Sequence, residues 1–412
     1  MTAVLIVVAT VLVLLALFNL VVALSVQRML KQPLWPLVSD ADALPGLVVL
    51  CLRGGDPFLE RSLRRLFQQD YPAYRVRIVL DSAEDSARPF VENVLAELQP
   101  SHVEVVTLGD RLNTCTYKMS GILWGTRDLP DDVRFVALMD GDTVPHAAWL
   151  RELATPLVTG RAQCTSGNRW YFPEHPTFGS MVRVCWGAGA LIVMSLFRIP
   201  WGGTMAFRRE VIEDERLRSR LRHAFSEDTT IGQFVREQNG EVAIDPRLMI
   251  VNYEQTGLRG FFGFDSRQLL AVRLQHKAWP WVVLYCLSGV PMVAYPLVRW
   301  CGLSAPDWLD IVYGVYSISY AAQPIFFAPA IRSLLGTRGE SLPGWTLRRI
   351  VIGLIAIPLT QFVHFLALLR ALTMRVVNWR GVRYRLGSHP RLTVLQPEQK
   401  GGTPAESLAK SA

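Results

Sequence analysis

Residues 133–145, VRFVALMDGDTVP, decide how the rest of the chain reads. Phe135 to Met139 form an apolar run of strand type that ends abruptly in two carboxylates one residue apart, Asp140 and Asp142, with the permissive Gly141 between them. Paired carboxylates at a strand end suit a hard divalent cation. Mg²⁺ or Mn²⁺ takes oxygen ligands and keeps positions open for phosphate oxygens, so the pattern fits a nucleotide diphosphate. Asp and Gly are also ordinary turn formers, and these residues alone read equally well as a polar turn after a buried strand. The rest of the chain separates the two readings.

The 412 residues allow one sizeable domain with additions. A hydrophobic fraction of 50% beside 19% charged residues, with a mean hydropathy of +0.23, requires the apolar residues to be concentrated somewhere, and they gather at the two ends. The formal charge of +8 does not point to nucleic acid, because no basic stripe with interleaved aromatics exists. Arginines instead flank apolar segments, which makes anionic headgroups of a bilayer the expected partner. Cysteines 51, 115, 164, 185, 286 and 301 show no paired metal spacing and read as reduced, small hydrophobes.

Residues 3–25 carry no charge and are long enough to cross a hydrocarbon core of about 30 Å. No positive region precedes them and no small-residue cleavage site is evident, so a transmembrane helix over residues 1–27 is expected rather than a cleaved signal. Arg28 and Lys31 follow directly, which places the N-terminus outside and the next region in the cytoplasm. After a Pro-containing linker (32–45), residues 46–265 alternate short apolar runs with amphipathic stretches, the pattern of an α/β domain with a parallel sheet. Strands are expected at 47–52, 76–80, 103–108 and 135–139, and helices at 58–70 and 118–125. Ligands of such sheets bind beyond the carboxyl ends of the strands. Arg53, Gly54, Asp56, Asp81, Asp140 and Asp142 all fall there, which chance turn chemistry explains poorly.

Residues 181–199 are apolar but bounded by Arg183 and Arg198, too short for a span and suited to an interfacial or core helix. A Gly-rich turn at 201–205 and a charged helix lead to Ser226, which can cap a helix opening with Glu227 and Asp228; a plain capping signature is the simpler account of these three. Residues 266–281 read as a basic amphipathic helix in the membrane interface, carrying Arg267, Arg273, Lys277, Trp279 and Trp281. Apolar segments at 280–298, 309–331 and 350–369 make residues 282–374 a set of C-terminal membrane helices. Four full spans would leave the tail outside, whereas Arg375, Arg380, Arg383 and Arg385 argue for inside. Pro358 permits a broken or re-entrant last helix, and a cytoplasmic tail (375–412), disordered from about 396, is the expectation.

Together these parts resemble a membrane-integrated family 2-type glycosyltransferase of GT-A fold, and more narrowly the ceramide glucosyltransferase group. RGGDPFL (53–59) and DYPAY (70–74) look like that group's opening motifs; Asp81, the Asp140 motif and Asp228 fall at its three acidic positions; WRGVRYR (379–385) resembles its tail motif. The resemblance, which runs from about 47 to 386, implies a UDP-sugar donor, a metal held by Asp142 with Asp140 beside it, Asp81 on the uridine, and Lys118 approaching the diphosphate. It implies Asp228, with Glu227 beside it, as the base that takes the acceptor hydroxyl's proton while the anomeric centre inverts. The acceptor would be a membrane lipid at the cytoplasmic leaflet of a bacterial inner membrane or its equivalent. A metal and a cation would stabilise the leaving diphosphate.

Two departures stand out. The family's (Gln/Arg)-x-x-Arg-Trp motif meets RQLLA here (267–271): Arg267 and Gln268 are present, the closing pair is missing, and Arg273 or Trp279 could replace it. The full Asp-Gly-Asp follows the general family 2 pattern more closely than the animal ceramide enzymes do. A processive polysaccharide synthase is the rival enzyme, although three C-terminal segments are few for a polymer channel; a non-catalytic membrane scaffold is the rival of another class.

Overall fold

A computed structural model describes residues 2–32, 35–302, 306–387 and 392–395. The tail from 396, for which disorder is expected, lies outside the described residues. An N-terminal helix, α1 (Thr2–Lys31), leads into β1 (Gly46–Leu52), α2 (Leu59–Leu66), β2 (Tyr74–Leu80), α3 (Arg88–Leu98), β3 (Val103–Thr107), α4 (Tyr117–Gly125) and β4 (Phe135–Met139). The expected helix over 58–70 is shorter than the sequence suggested, because the chain turns after Leu66 toward Tyr71, whose hydroxyl donates to the Leu44 carbonyl.

Then come α5 (Trp149–Val158), β5 (Cys164–Tyr171), α6 (Phe178–Phe197), β6 (Thr204–Arg208), α7 (Arg209–Glu213), α8 (Glu215–Leu221), α9 (Glu227–Glu237) and β7 (Val242–Asn252). The seven strands form one sheet in the order β3-β2-β1-β4-β6-β5-β7, all parallel except β6, which runs antiparallel to both β4 and β5. This is the expected Rossmann-like α/β architecture, with continuous apolar strands because helices cover both faces. The chain leaves β1 for β2 and β3 on one side and returns to β4 on the other, so a crevice opens between the carboxyl ends of β1 and β4.

The remaining helices are α10 (Leu258–Gln275), α11 (Trp279–Ser288), α12 (Pro291–Trp300), α13 (Asp307–Gly336) and α14 (Leu347–Thr373). Among the described residues, five helical stretches are long and apolar enough to cross a membrane: α1, α6, α11 with α12, α13 and α14. The amphipathic helix expected over 266–281 instead starts at Leu258 and ends at Gln275, and the Trp279 and Trp281 pair opens the next helix. α1 and α13 run side by side in the same direction: Leu12 and Ala16 pack on Leu309 and Tyr316, while Val26 and Leu30 pack on Ile331 and Leu335. α6 leaves β5 and returns to β6 of the same sheet, and half of its apolar stretch is buried. α14 continues through Pro358 without a break.

α14 is tied to the α/β domain at its start and to α10 at its end. Near its start Arg349 donates to the carbonyls of Pro173 and Glu174 (3.0 and 2.9 Å), and near its end Arg273 of α10 donates to the carbonyls of Ala371, Leu372 and Met374. The tail is not wholly irregular. β8 (Val376–Trp379), β9 (Val382–Leu386) and β10 (Leu392–Leu395) form a small antiparallel sheet packed on Phe225 and Leu270. Six free cysteines agree with the reduced reading.

Candidate active site

The strand ends bring the carboxylates together because β1, β2 and β4 are parallel neighbours. Asp140 follows β4, Asp81 follows β2, and the 53–56 loop follows β1. The Asp140 turn is fixed by Thr143, whose N–H and hydroxyl both donate to the Asp140 carbonyl (3.2 and 2.7 Å). β6 enters the same edge from the opposite direction, with Thr204 opposite Met139, so the turn before it lies against Asp140. β5 runs parallel to β4 on the far side of β6, and its carboxyl end delivers Arg169 to 3.8 Å from Asp142. A lone Arg in a strand carries no sequence signal, and sequence reasoning missed it.

Lys118 of α4 is the hub of the site. Its Nζ lies 2.5 Å from Asp140 Oδ1 and 2.5 Å from Glu227 Oε1. Although burial pushes Asp140 up, the ammonium outweighs it and leaves this carboxyl below its ordinary range; the two carboxylates in turn hold the ammonium above its own, against its burial. Asp142 has only the more distant Arg169 guanidinium at 3.8 Å. Burial, then Asp140, raise it to about 6, and its Oδ1 is buried with no hydrogen-bond partner among the described residues. An orphaned carboxylate oxygen beside a second carboxylate is what a divalent cation would satisfy, so these residues fit the expected metal. Among the described residues no cluster of three or more His, Cys, Asp or Glu could hold a metal by itself, which leaves positions for phosphate oxygens.

Glu227 and Asp228, adjacent in sequence, separate in role. Glu227 is turned inward, only 3% exposed, and raised to about 7 by burial against the pull of Lys118. Asp228 remains part-exposed, accepting from the N–H groups of Thr229 (2.6 Å) and Gly202 (3.2 Å). The capping expectation for Ser226 is corrected. Ser226 sits at the cap position, but its hydroxyl donates to Gln275 Oε1 of α10 (2.9 Å) and makes no cap bond.

The 201–203 turn owes its glycines to these carboxylates. A Cβ on Gly202 would stand 1.8 Å from Glu227 Oε1, and one on Gly203 would stand 2.6 Å from Asp140 Oδ2 and 2.1 Å from the Trp201 ring. Gly203→Ala is therefore expected to lower stability by about 1–3 kcal/mol and to reduce activity, because Trp201 and Asp140 must both move. Thermal melting beside a turnover assay checks this; an unchanged melt with full activity would show that the turn yields freely.

On the β2 side, Asp81 is buried and pairs with Arg53 and with Arg111 (3.4 Å to Oδ2), and both guanidiniums stack near the Tyr117 ring (5.1 and 5.4 Å). Its Oδ1 is buried without a partner among the described residues, and can accept from an N–H. Burial raises Asp81 despite both arginines. Gly54 N–H donates to Asp85 Oδ1 (2.9 Å), which shapes the loop carrying Asp56. Asp56 itself accepts from Arg380 Nη2, which is shared between its two carboxylate oxygens (2.9 and 2.8 Å).

Arg380 is the residue that the tail motif contained but whose position no sequence argument supplied. Arg380 and Gly381 join β8 to β9 with positive φ at both positions (50° and 75°), a two-residue hairpin turn of the type that follows strand twist. Arg53 Nε donates to the Arg380 carbonyl (2.9 Å), so the hairpin tip is tied to the nucleotide-side loop. Arg267 lies in the same field, and burial, then Arg380 and Arg370, lower it to about 10. The two suggested replacements for the missing Arg-Trp are corrected. Arg273 is spent on the carbonyls that end α14, and Trp279 packs against the apolar cluster that holds Leu269, Val282 and Leu368.

From the mouth between Arg169, Trp201 and Asp228 a cavity continues into the helices. It is walled by α6, α10, α11, α13 and α14, with Gln268, Tyr285 and His364 among its lining. Sequence alone could not reveal it, since its walls come from five separate helices.

Residues 8–392 match the sequence profile of Glycosyl transferase family 21. No curated protein matches the chain. Among solved structures, the chain is similar to the mannosyltransferase PcManGT from Pyrobaculum calidifontis in complex with GDP-Man and Mn²⁺, at 16% identity, covering 89% of this chain and 99% of that one with a TM-score of 0.49. It is also similar to the glucosyl-3-phosphoglycerate synthase from Mycobacterium tuberculosis in complex with Mn²⁺, UDP and phosphoglyceric acid (12% identity, 59% and 85% covered, TM-score 0.39). A third is S. aureus TarS 1–349 (11% identity, 87% and 98% covered, TM-score 0.35).

Proposed function

Because the chain belongs to glycosyl transferase family 21, we propose that it transfers a sugar from a UDP-sugar to the hydroxyl of a membrane lipid, ceramide-like or other, with inversion at the anomeric carbon. The observation that carries this reading is the cavity, which joins Asp228 to the interior of the helix bundle. An acceptor lipid need only raise its hydroxyl to Asp228 while its tails remain among apolar side chains, with no cost of extraction into water.

In this reading Asp81 Oδ1 accepts from the base's N–H, and Lys118 and Arg380 bind the diphosphate. The acceptor oxygen attacks the anomeric carbon, the bond to the diphosphate breaks, and the hydroxyl proton passes to the Asp228 carboxylate. Mg²⁺ or Mn²⁺ held by Asp140 and Asp142 would supply charge stabilisation for the departing diphosphate. Glu227 keeps Lys118 oriented rather than serving as base.

The reading also resolves the parity of the helices. In this reading α6 and α14 stay on the face they leave, and of the five candidate spans among the described residues α1, α11 with α12, and α13 are the crossings. Three crossings place the tail sheet and the α/β domain on one side, and Arg28, Lys31, Arg338 and Arg349 make that side cytoplasmic. Arg338 pairs with the buried Glu152 (2.6 Å), which anchors the inner end of α13 to the domain.

Purified protein given a panel of radiolabelled UDP-sugars and total membrane lipid should yield one labelled species in the organic phase after solvent extraction. Label confined to aqueous, high-molecular-weight polymer would overturn the lipid reading in favour of polysaccharide synthesis.

Two further outcomes follow. Arg380→Ala should lower kcat/KM about 10- to 100-fold, chiefly through donor affinity, because a charge-assisted fork to the diphosphate is lost. Donor titration checks it, and an unchanged KM and kcat would reduce the hairpin to a structural element. Cation binding without nucleotide should weaken as pH falls through about 6, approaching tenfold per unit below it, since Asp142 then takes up the proton that blocks its oxygen. Calorimetry with Mn²⁺ between pH 5 and 7.5 reads this directly; a flat profile would remove Asp142 from the site.

A further inference from the structure

The cavity contains a polar constellation for which the transfer chemistry has no use. Asp265 of α10 is fully buried, and its Oδ2 lies 2.7 Å from His364 Nδ1 of α14. His364 Nε2 lies 3.0 Å from the Cys286 sulfur of α11. All three residues line the same cavity as Asp228. With Nδ1 donating to the carboxylate, the imidazole is held at both nitrogens and the carboxylate keeps one oxygen in hand. Asp265 Oδ1 is buried and, among the described residues, has no hydrogen-bond partner.

A carboxylate oxygen left bare in an apolar enclosure calls for a donor. The neighbouring side chains that line the cavity leave it unmet, so the donor arrives with whatever occupies the space. A neutral O–H or N–H suits it better than an ammonium, whose transfer out of water into this enclosure would be costly.

Resting on the lipid-acceptor reading above, we infer that Asp265 is a second recognition point for the acceptor: while Asp228 takes the reacting hydroxyl, Asp265 Oδ1 accepts from a second donor, an O–H or amide N–H, on the same lipid. His364 and Cys286 are positioning residues that fix the carboxylate so that Oδ1 is presented. The enzyme thereby distinguishes lipids with two polar donors near the headgroup from lipids with a single hydroxyl.

Two tritiated probes that differ only in that donor test this: 1,2-dodecanediol and 2-methoxy-1-dodecanol. Their binding to detergent-purified full-length protein is measured by scintillation proximity. The diol should bind about tenfold or more tightly than the ether, the size expected for a hydrogen bond to a charged acceptor. Asp265→Asn, which keeps the shape but not the charge, should shrink that ratio to about threefold or less. Equal binding of both probes by the unaltered protein overturns the second recognition point and leaves the lipid reading standing, and that comparison needs no variant to fold. A ratio undiminished in Asp265→Asn places the donor contact elsewhere and also overturns it. If neither probe binds, the lipid-acceptor reading fails together with the inference.

Discussion

Asp142→Asn is expected to lower sugar transfer by about 10³-fold, the equivalent of roughly 4 kcal/mol of lost transition-state stabilisation, while the protein folds normally. The amide is a poor ligand for a hard cation, and the cation's charge is what offsets the charge developing on the diphosphate. Stability should move the other way. Asp142 is held near pKa 6 because burial and Asp140 penalise its ionised form. A folded-state value above the unfolded one means that the folded protein binds the proton more tightly, so this group's contribution to stability falls as pH rises from about 4 through about 6. The neutral amide removes that penalty, and metal-free Asp142→Asn should melt at or above the temperature of the unaltered protein at pH 7.5. Added Mn²⁺ should raise the melting temperature of the unaltered protein and leave that of the variant almost unmoved. Turnover with an unchanged metal dependence in the variant would defeat the assignment.

Asp228→Asn is expected to lower kcat about 10²- to 10⁴-fold with donor affinity nearly unchanged, the range for removal of a general base. Its carboxylate stands at the cavity mouth, while Glu227 beside it is sequestered by Lys118. The contrast between the two is itself a test. Glu227→Gln should weaken donor binding, because Lys118 loses one of its two anchors, and it should lower kcat less than Asp228→Asn does. Loss of nucleotide affinity in Asp228→Asn, with rate retained at saturating donor, would reassign Asp228 to structure. A larger kcat loss in Glu227→Gln than in Asp228→Asn would exchange the two roles.

Arg380 stands at a hairpin tip, locked by two left-handed residues and tied to Asp56. In the proposed reading it supplies a cation to the diphosphate, which would compete with Asp56 for the same guanidinium. Arg267 and Gln268, the part of the motif that remains, lie beside this hairpin and in the cavity wall.

What the sequence determined by itself was everything carried by short-range pattern. Apolar runs ended by carboxylates located β1, β2 and β4 and put Asp81, Asp140 and Asp142 at their ends, because a strand's burial and its terminal turn are both written within a few residues. Uncharged length marked α1, and the apolar run between Arg183 and Arg198 marked the helix α6. Tertiary structure alone decided the rest. Arg169 reaches Asp142 only because β5 lies parallel to β4 across an antiparallel β6, a strand order that no local pattern encodes. Lys118 joins Asp140 to Glu227 although the two carboxylates are 87 residues apart, and both glycines of the 201–203 turn answer to carboxylates from other elements. Pro358 suggested a break, yet α14 stays continuous and is held at both ends by arginines bonded to backbone carbonyls. The Asp265 pair is invisible in sequence for the same reason: a carboxylate on one helix and an imidazole 99 residues later become one site only when packing closes the space between them.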